Sequence, residues 1–368
     1  MPHLYAETLL APGLEVSFQW RYQNNGRELI SILDDDSPVR GALGQAIDRY
    51  ERTVFELTLN KPTLIEWANS QENLQDAADQ RELRLGGAHV FQQSIELLQG
   101  MQMMTDREED PVKLSTIHHN IGDVMGFIGQ RSGSIHFLEQ AALSYEQALE
   151  MRTQEDNPLE WGQTTYNFGL VMQAIGELDD DTGMLKQALE SCKLAVTTIP
   201  RDEGAEEWSG AMCAVGTLLY QLGTHRRGAR TLEQAVVALR NATTERTLDK
   251  NPIAWAVAQN NLAATMQALG EHEEDIGALE ASIPMYDATL KEVPADKLPM
   301  VNAIISANRA SAMYALAQES DYLDMAEMSV AEFKKLDDLF EGTEYSSLRT
   351  KAQERVEQGQ ALVRSLQV

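Results

Sequence analysis

The sequence predicts an all-α array of stacked helix hairpins, and three observations carry that expectation. All five tryptophans fall on one register. Trp20, Trp67, Trp161, Trp208 and Trp255 are separated by 47, 94, 47 and 47 residues, with Leu114 and Asn302 on the vacant points. Self-similarity at a fixed period of this length marks a repeat architecture whose units stack on one continuous core. Numbered from each such residue as position 0, apolar or small side chains recur at 0, 7, 8, 11 and 14, as in Trp255, Leu262, Ala263, Met266 and Leu269. At 100° per residue these share one side of a helix. A second apolar run then follows in every unit. A hydrophobic content of 43% suits a packed protein, and 6% aromatics beside plentiful Ala, Leu, Gln and Glu suits helices.

Taken in chain order, residues 1–66 read as an N-terminal cap with a degenerate repeat. Residues 41–57 look like a second helix slipped by one residue, and Trp20 and Asn25 belong to a worn first helix. Six units of 47 residues occupy 67–336. In the Trp67 unit, Gly86-Gly87 shortens the first helix. Each later first helix closes on a glycine (Gly129, Gly176, Gly223, Gly270), with Ala317 in the fifth case. Glycine just past a helical run reads as a stop signal, because it takes the left-handed conformation cheaply.

The second helices carry Leu138, Ala141, Tyr145 and Ala148, then Leu185, Ala188, Cys192 and Ala195, then Leu232, Ala235, Leu239 and Ala242. Leu279, Ser282, Tyr286 and Thr289 follow, then Ala326, Ser329, Phe333 and Leu336, while Phe91, Ser94, Leu98 and Met101 precede them all. Alternating large and small side chains lets two helices interlock closely. Pro284 lies inside a second helix and predicts a kink. Residues 337–368 read as a C-terminal capping helix over Glu344–Gln367 that shields the last open face.

This pattern resembles the tetratricopeptide repeat family. The matching residues are Phe168-Gly169, Gly176 seven residues later, and the small-large-small run Ala188, Cys192, Ala195. The usual unit of that family is about 34 residues, so each unit here is longer. The resemblance implies a right-handed superhelical solenoid of antiparallel helix hairpins, with the first helices lining its concave surface. It further implies a non-enzymatic scaffold or adaptor that binds a peptide or protein segment there.

Position 6 holds Asn73, Asn120, Asn167, Asn261 and Asn308, with Ala214 breaking the series. Asparagine is a mediocre helix former, so five at one position need a cause. Each amide offers two donors and an acceptor. One reading is a ladder that bonds the backbone of an extended peptide, the use the resemblance implies. The other is a bond from each repeat to its neighbour that holds the stack. Both use the same donors, and the sequence leaves both open. Positions 2, 6, 9 and 13 form one stripe. Asp76 and Asp123 make its N-terminal end acidic, while Ile304 and Ala315, beside Tyr314, make the other end apolar. The candidate peptide-binding set is therefore Asn73, Asn120, Asn167, Asn261, Asn308, Asp76, Asp123 and Tyr314.

A net charge of −27 repels nucleic acid and anionic membrane and favours a basic or neutral partner. The chain shows no run long enough to cross a membrane and no basic-apolar leader, so the expected location is cytoplasmic. His118-His119 near Met101, Met103 and Met104 could suit copper(I), but adjacent histidines diverge by about 100° on a helix. Cys192 and Cys213 lack paired metal spacing. The basic cluster His225-Arg226-Arg227 with Arg230 lies in a turn, and the acidic runs Asp34–Asp36, Glu108–Asp110, Asp179–Asp181 and Glu273–Asp275 read as solvated loops. No phosphate loop, nucleophile elbow or zinc-protease motif occurs. No cofactor, metal or catalysis is expected. The rival readings are a self-assembling homo-oligomer and a small-molecule or metal-binding protein.

Overall fold

The computed structural model describes residue 95 and residues 98–132, 134–226, 228–295, 299–341 and 346–367. The repeat read at 1–66, Trp20, and the first helix of the Trp67 unit with Gly86-Gly87 lie outside the described residues. After a helical stretch at 98–104 come α1 (Pro111–Ser132) and α2 (Ile135–Met151), then α3 (Pro158–Leu178) and α4 (Thr182–Thr198). Next are α5 (Ala205–Arg226) and α6 (Ala229–Ala242), α7 (Pro252–Glu273) and α8 (Ile276–Glu292), and α9 (Pro299–Ser320) and α10 (Leu323–Phe340). The last helix is α11 (Ser346–Leu366), and no strand occurs among the described residues.

Every helix packs on the next. First helices also touch each other in succession, α1 on α3, α3 on α5, α5 on α7 and α7 on α9, while the second helices have no comparable contact among themselves. A row whose first helices touch and whose second helices are splayed is curved, with the first helices inside. The molecule is an all-α solenoid of antiparallel hairpins. Helix α11 packs on α10 and α9 and so takes the place of another first helix. Counting on by 47 puts Arg349 on the tryptophan register. Beyond it α11 carries Glu357, Gln360 and Arg364 where the preceding first helices carry small or apolar residues at positions 8, 11 and 15.

Local chemistry sets the helix ends. Pro111, Pro158, Pro252 and Pro299 open four first helices, where the fixed φ fits and the missing N–H costs nothing. Two of the acidic runs do more than meet solvent. Asp181 accepts from the Gly183 backbone N–H at 2.7 Å, and Asp275 from Gly277 at 2.9 Å and Ala278 at 3.3 Å, capping α4 and α8. Helix α8 runs on through Pro284, which lies on its exposed side.

The closing glycines play a different part from the one their position suggests. Gly129, Gly176, Gly223 and Gly270 lie inside the first helices, which end two to three residues later in every case. The left-handed residues are instead Asp180, Glu274 and Asp321, at φ 53°, 54° and 53°. What the glycines provide is a notch. A Cβ at Gly129 would lie 2.7 Å from the Leu138 side chain, at Gly223 2.9 Å from Leu232, and at Gly270 2.9 Å from Leu279.

A second notch sits two turns earlier. A Cβ at Gly122 would lie 2.6 Å from the Tyr145 ring, at Gly169 2.7 Å from Cys192 Sγ, and at Gly216 2.5 Å from Leu239. In the fifth hairpin the first notch holds Ala317 and its second-helix counterpart is Ala326, so the lost leucine volume is partly returned by the added methyl. The second-helix positions named from the sequence between Leu138 and Leu336 are all buried.

Gly216→Ala is expected to lower stability by about 1–3 kcal/mol, because the new methyl meets both Leu239 and its backbone. Gly100, also helical, has nothing within 4 Å of an added Cβ. Gly100→Ala is therefore expected to be neutral or to stabilise by about 0.5–1 kcal/mol. Urea midpoints of the two variants measure the contrast.

Candidate functional site

The asparagine series sits where consecutive first helices meet. Asn120, Asn167, Asn261 and Asn308 are only 6, 1, 5 and 2% exposed. Three of these amides reach the preceding first helix. Asn167 Nδ2 donates to Asp123 Oδ1 at 2.8 Å, Asn261 Nδ2 to Thr217 Oγ1 at 3.2 Å, and Asn308 Nδ2 to Asn260 Oδ1 at 3.0 Å. Asn120 Nδ2 turns back to the Thr116 carbonyl of its own helix at 2.7 Å. Asn73 and Asp76 lie outside the described residues.

Asp123 is the centre of a buried polar knot. Besides Asn167, its Oδ1 accepts the Tyr145 hydroxyl at 2.6 Å, and His119 Nε2 lies 3.4 Å from Oδ2. His119 Nδ1 is 2.9 Å from Thr164 Oγ1. The order hydroxyl, imidazole, carboxylate is that of a nucleophilic triad. Here, however, the Thr164 hydroxyl donates to the Glu160 carbonyl at 2.8 Å, and the residue is 1% exposed. Its proton is committed and no substrate reaches it, so the knot joins repeats. The neighbouring His118 has its pKa lowered, first by burial and then by the Arg107 charge.

Further along, Gln173 and Gln221 of consecutive first helices both donate to Glu177 Oε1. In the matching place two repeats on, Gln267 donates to Glu271 at 2.8 Å and accepts the Tyr286 hydroxyl at 3.2 Å. Burial raises the Glu271 pKa above the usual carboxylate range. The Gln267 bond and the Arg355 charge oppose the rise, and Glu319 adds to it.

The half-buried residues of the first helices include Gln163, Gln259, Ile304 and Tyr314. The Arg355 guanidinium lies 5.9 Å above the Tyr314 ring, within cation–π range. No group of three or more metal-binding side chains occurs among the described residues. Met101 is in the core while Met103 and Met104 are exposed, so the sulfurs do not converge on the histidines. Cys192 and Cys213 are buried free thiols; burial raises the Cys213 pKa, against the pull of Arg246. The side chains of His225, Arg226 and Arg227 lie outside the described residues.

Three arginines were not singled out from the sequence. Position 38, at or shortly after the end of each second helix, reads Arg152, Ile199, Arg246, Val293 and Phe340. Ile199 packs on Gly162 at position 1, so this is a packing position, and two repeats fill it with a cation. Arg152 donates to Thr116 Oγ1 and to the Val112 carbonyl. Arg246 lies over Gly210, the position-2 equivalent of Thr116. Arg355 occupies position 6 of α11, continues the asparagine series, and is 5% exposed.

No protein-family model matches the chain, and no curated protein matches it. Among solved structures, one described as a "circular tandem repeat protein with novel repeat topology and enhanced subunit contact surfaces" aligns at 12% identity over 97% of each chain, with a TM-score of 0.23. The fold stated above rests on this chain's own helices. Among the described residues no helix is long and apolar enough to cross a membrane.

Asn167→Ala is expected to cost about 1.5–3 kcal/mol, because the lost partner is a buried carboxylate. Asn120→Ala, whose amide serves only its own helix, is expected to cost less than about 1.5 kcal/mol. Urea unfolding of both single variants tests the difference.

Glu271 gives a pH signature. With its pKa raised in the folded state, the native protein holds this proton where the unfolded chain has released it. Its effect on stability is therefore absent below about pH 4, the unfolded carboxylate range. Stability then falls as pH rises from there through the raised native pKa. Glu271→Gln is expected to be more stable than the parent at neutral pH, with the gain vanishing near pH 4, as read from urea midpoints across that range.

Proposed function

We propose that this chain is a tetratricopeptide-like interaction scaffold, without catalysis of its own, that takes a polypeptide segment along the face of its first helices. The observation that carries the reading is the unbroken contact of consecutive first helices on the inside of the curve, which makes a single surface from five hairpins. An extended segment matches such a surface because both repeat along one axis.

The observed bonds favour the stacking role for the amides of Asn167, Asn261 and Asn308. In this reading they hold the wall of the groove with Asp123. Contact with the ligand falls to the half-exposed Gln163, Gln259, Ile304 and Tyr314. The large negative charge draws a basic or neutral segment.

Panning a random peptide library against the purified chain is expected to yield linear binders. Filling the groove by Gln163→Trp with Gln259→Trp is then expected to weaken them at least about tenfold, since bulk there excludes the segment. Leu194→Ala and Val237→Ala, at exposed sites on the outer second helices, should leave binding unchanged. Binders lost with the outer pair and kept with the inner pair would overturn the assignment. Circular dichroism checks that each variant is folded.

A further inference from the structure

Arg152 and Arg246 are the same residue in two hairpins, 94 residues apart. Each leaves the end of a second helix and lies back over position 2 of its own first helix. In the earlier hairpin that position is Thr116, and the Arg152 guanidinium donates to its hydroxyl. In the later hairpin it is Gly210, which offers no side chain. Arg246 Nη2 lies 3.1 Å from where a Gly210 Cβ would stand, and the Tyr166 hydroxyl is 3.1 Å from the same point. The guanidinium and the phenol thus close over the buried Gly210 backbone.

Arg246 Nε is shielded from solvent and has no hydrogen-bond partner. Among the described residues no carboxylate stands within ion-pair distance of this guanidinium, although the chain carries 57 acidic residues. The nearby Arg201 shows the ordinary outcome, paired to Glu245 at 2.6 Å. Arg246 as a whole is half-buried, so the cost falls on the shielded Nε–H while the Nη groups remain open to a ligand. A planar fork of donors fits two oxygens of one anion.

We propose that Arg246, with Tyr166 beside it over Gly210, is a binding site for an oxyanion, the carboxylate or phosphate group of a ligand. The site lies on position 2 of the first-helix stripe, at the one hairpin that breaks the asparagine series with Ala214. It stands or falls separately from the polypeptide reading, because small anions alone test it.

The experiment titrates the full-length chain with inorganic phosphate and, separately, with acetate at low ionic strength. The arginine Nε–Hε signals are followed by NMR, with that of Arg246 identified by its absence in Arg246→Gln. Saturable movement of this signal in about the millimolar range is expected. The anion that binds tighter names the group. Isothermal calorimetry of Arg246→Gln should show binding weakened at least about tenfold, with Arg201→Gln unchanged. Arg246→Lys, which keeps the charge but loses the fork, and Gly210→Ala, which crowds the guanidinium, should each fold and bind more weakly. Absence of saturable movement with both anions would overturn the site. Undiminished binding in folded Arg246→Gln, or in Arg246→Lys if the glutamine variant does not fold, would do the same.

Discussion

Two helices lie in full contact only where a large side chain on one meets a gap on the other. That constraint recurs twice in these hairpins, and the rest of the array follows from it. Tyr145, Cys192 and Leu239 enter the gaps at Gly122, Gly169 and Gly216. Leu138, Leu185, Leu232 and Leu279 enter those at Gly129, Gly176, Gly223 and Gly270. Close pairing draws each second helix onto its first, and short turns bring the next first helix alongside. Where the leucine becomes Ala326, the gap holds Ala317. Packing density is thus conserved as a pair property.

First helices gripped in this way have little surface left. A second helix covers one side and neighbouring first helices cover two more, so polar residues there must find partners within the protein. This explains why Asn167, Asn261 and Asn308 reach backward along the array. It also explains why Asp123 is surrounded by donors from three helices. A buried carboxylate is costly unless its lone pairs are filled. The hydroxyl of Tyr145 and the amide of Asn167 fill them from the hairpin's own second helix and from the next repeat. The same tyrosine that fills the glycine gap therefore also ties the stack.

Much of the fold was legible in the sequence because packing imposes periods. The 47-residue register, the helix faces and the buried second-helix positions all follow from side-chain size and spacing. The glycines were legible in place but not in role. A helix stop and a packing gap call for the same residue, and only the continued helix at Gly176 or Gly270 separates them. The asparagines were ambiguous for a related reason, since an amide has the same donors whichever partner it meets. The arginines escaped because position 38 falls at a helix end, where a charged residue looks like ordinary solvated loop. Arg355 escaped because the register was not carried past the last apolar unit.

The apolar and polar patterns do not share one period. Core positions repeat every 47 residues, as they must when each hairpin meets an equivalent one. Several polar positions repeat every 94: Arg152 with Arg246, Gln173 with Gln267, Asp181 with Asp275, and Tyr220 with Tyr314. Packing does not require this alternation, because the arginine position accepts Ile199 and Val293 in the intervening units. The structural unit is thus one hairpin and the chemical unit is two. On that longer period Arg152 and Arg246 are equivalent places, and what distinguishes them is Thr116 against Gly210. Thr116 gives the first guanidinium a hydroxyl to bond, and Gly210 offers the second none, so the two sites share a scaffold but not a hydrogen-bond partner.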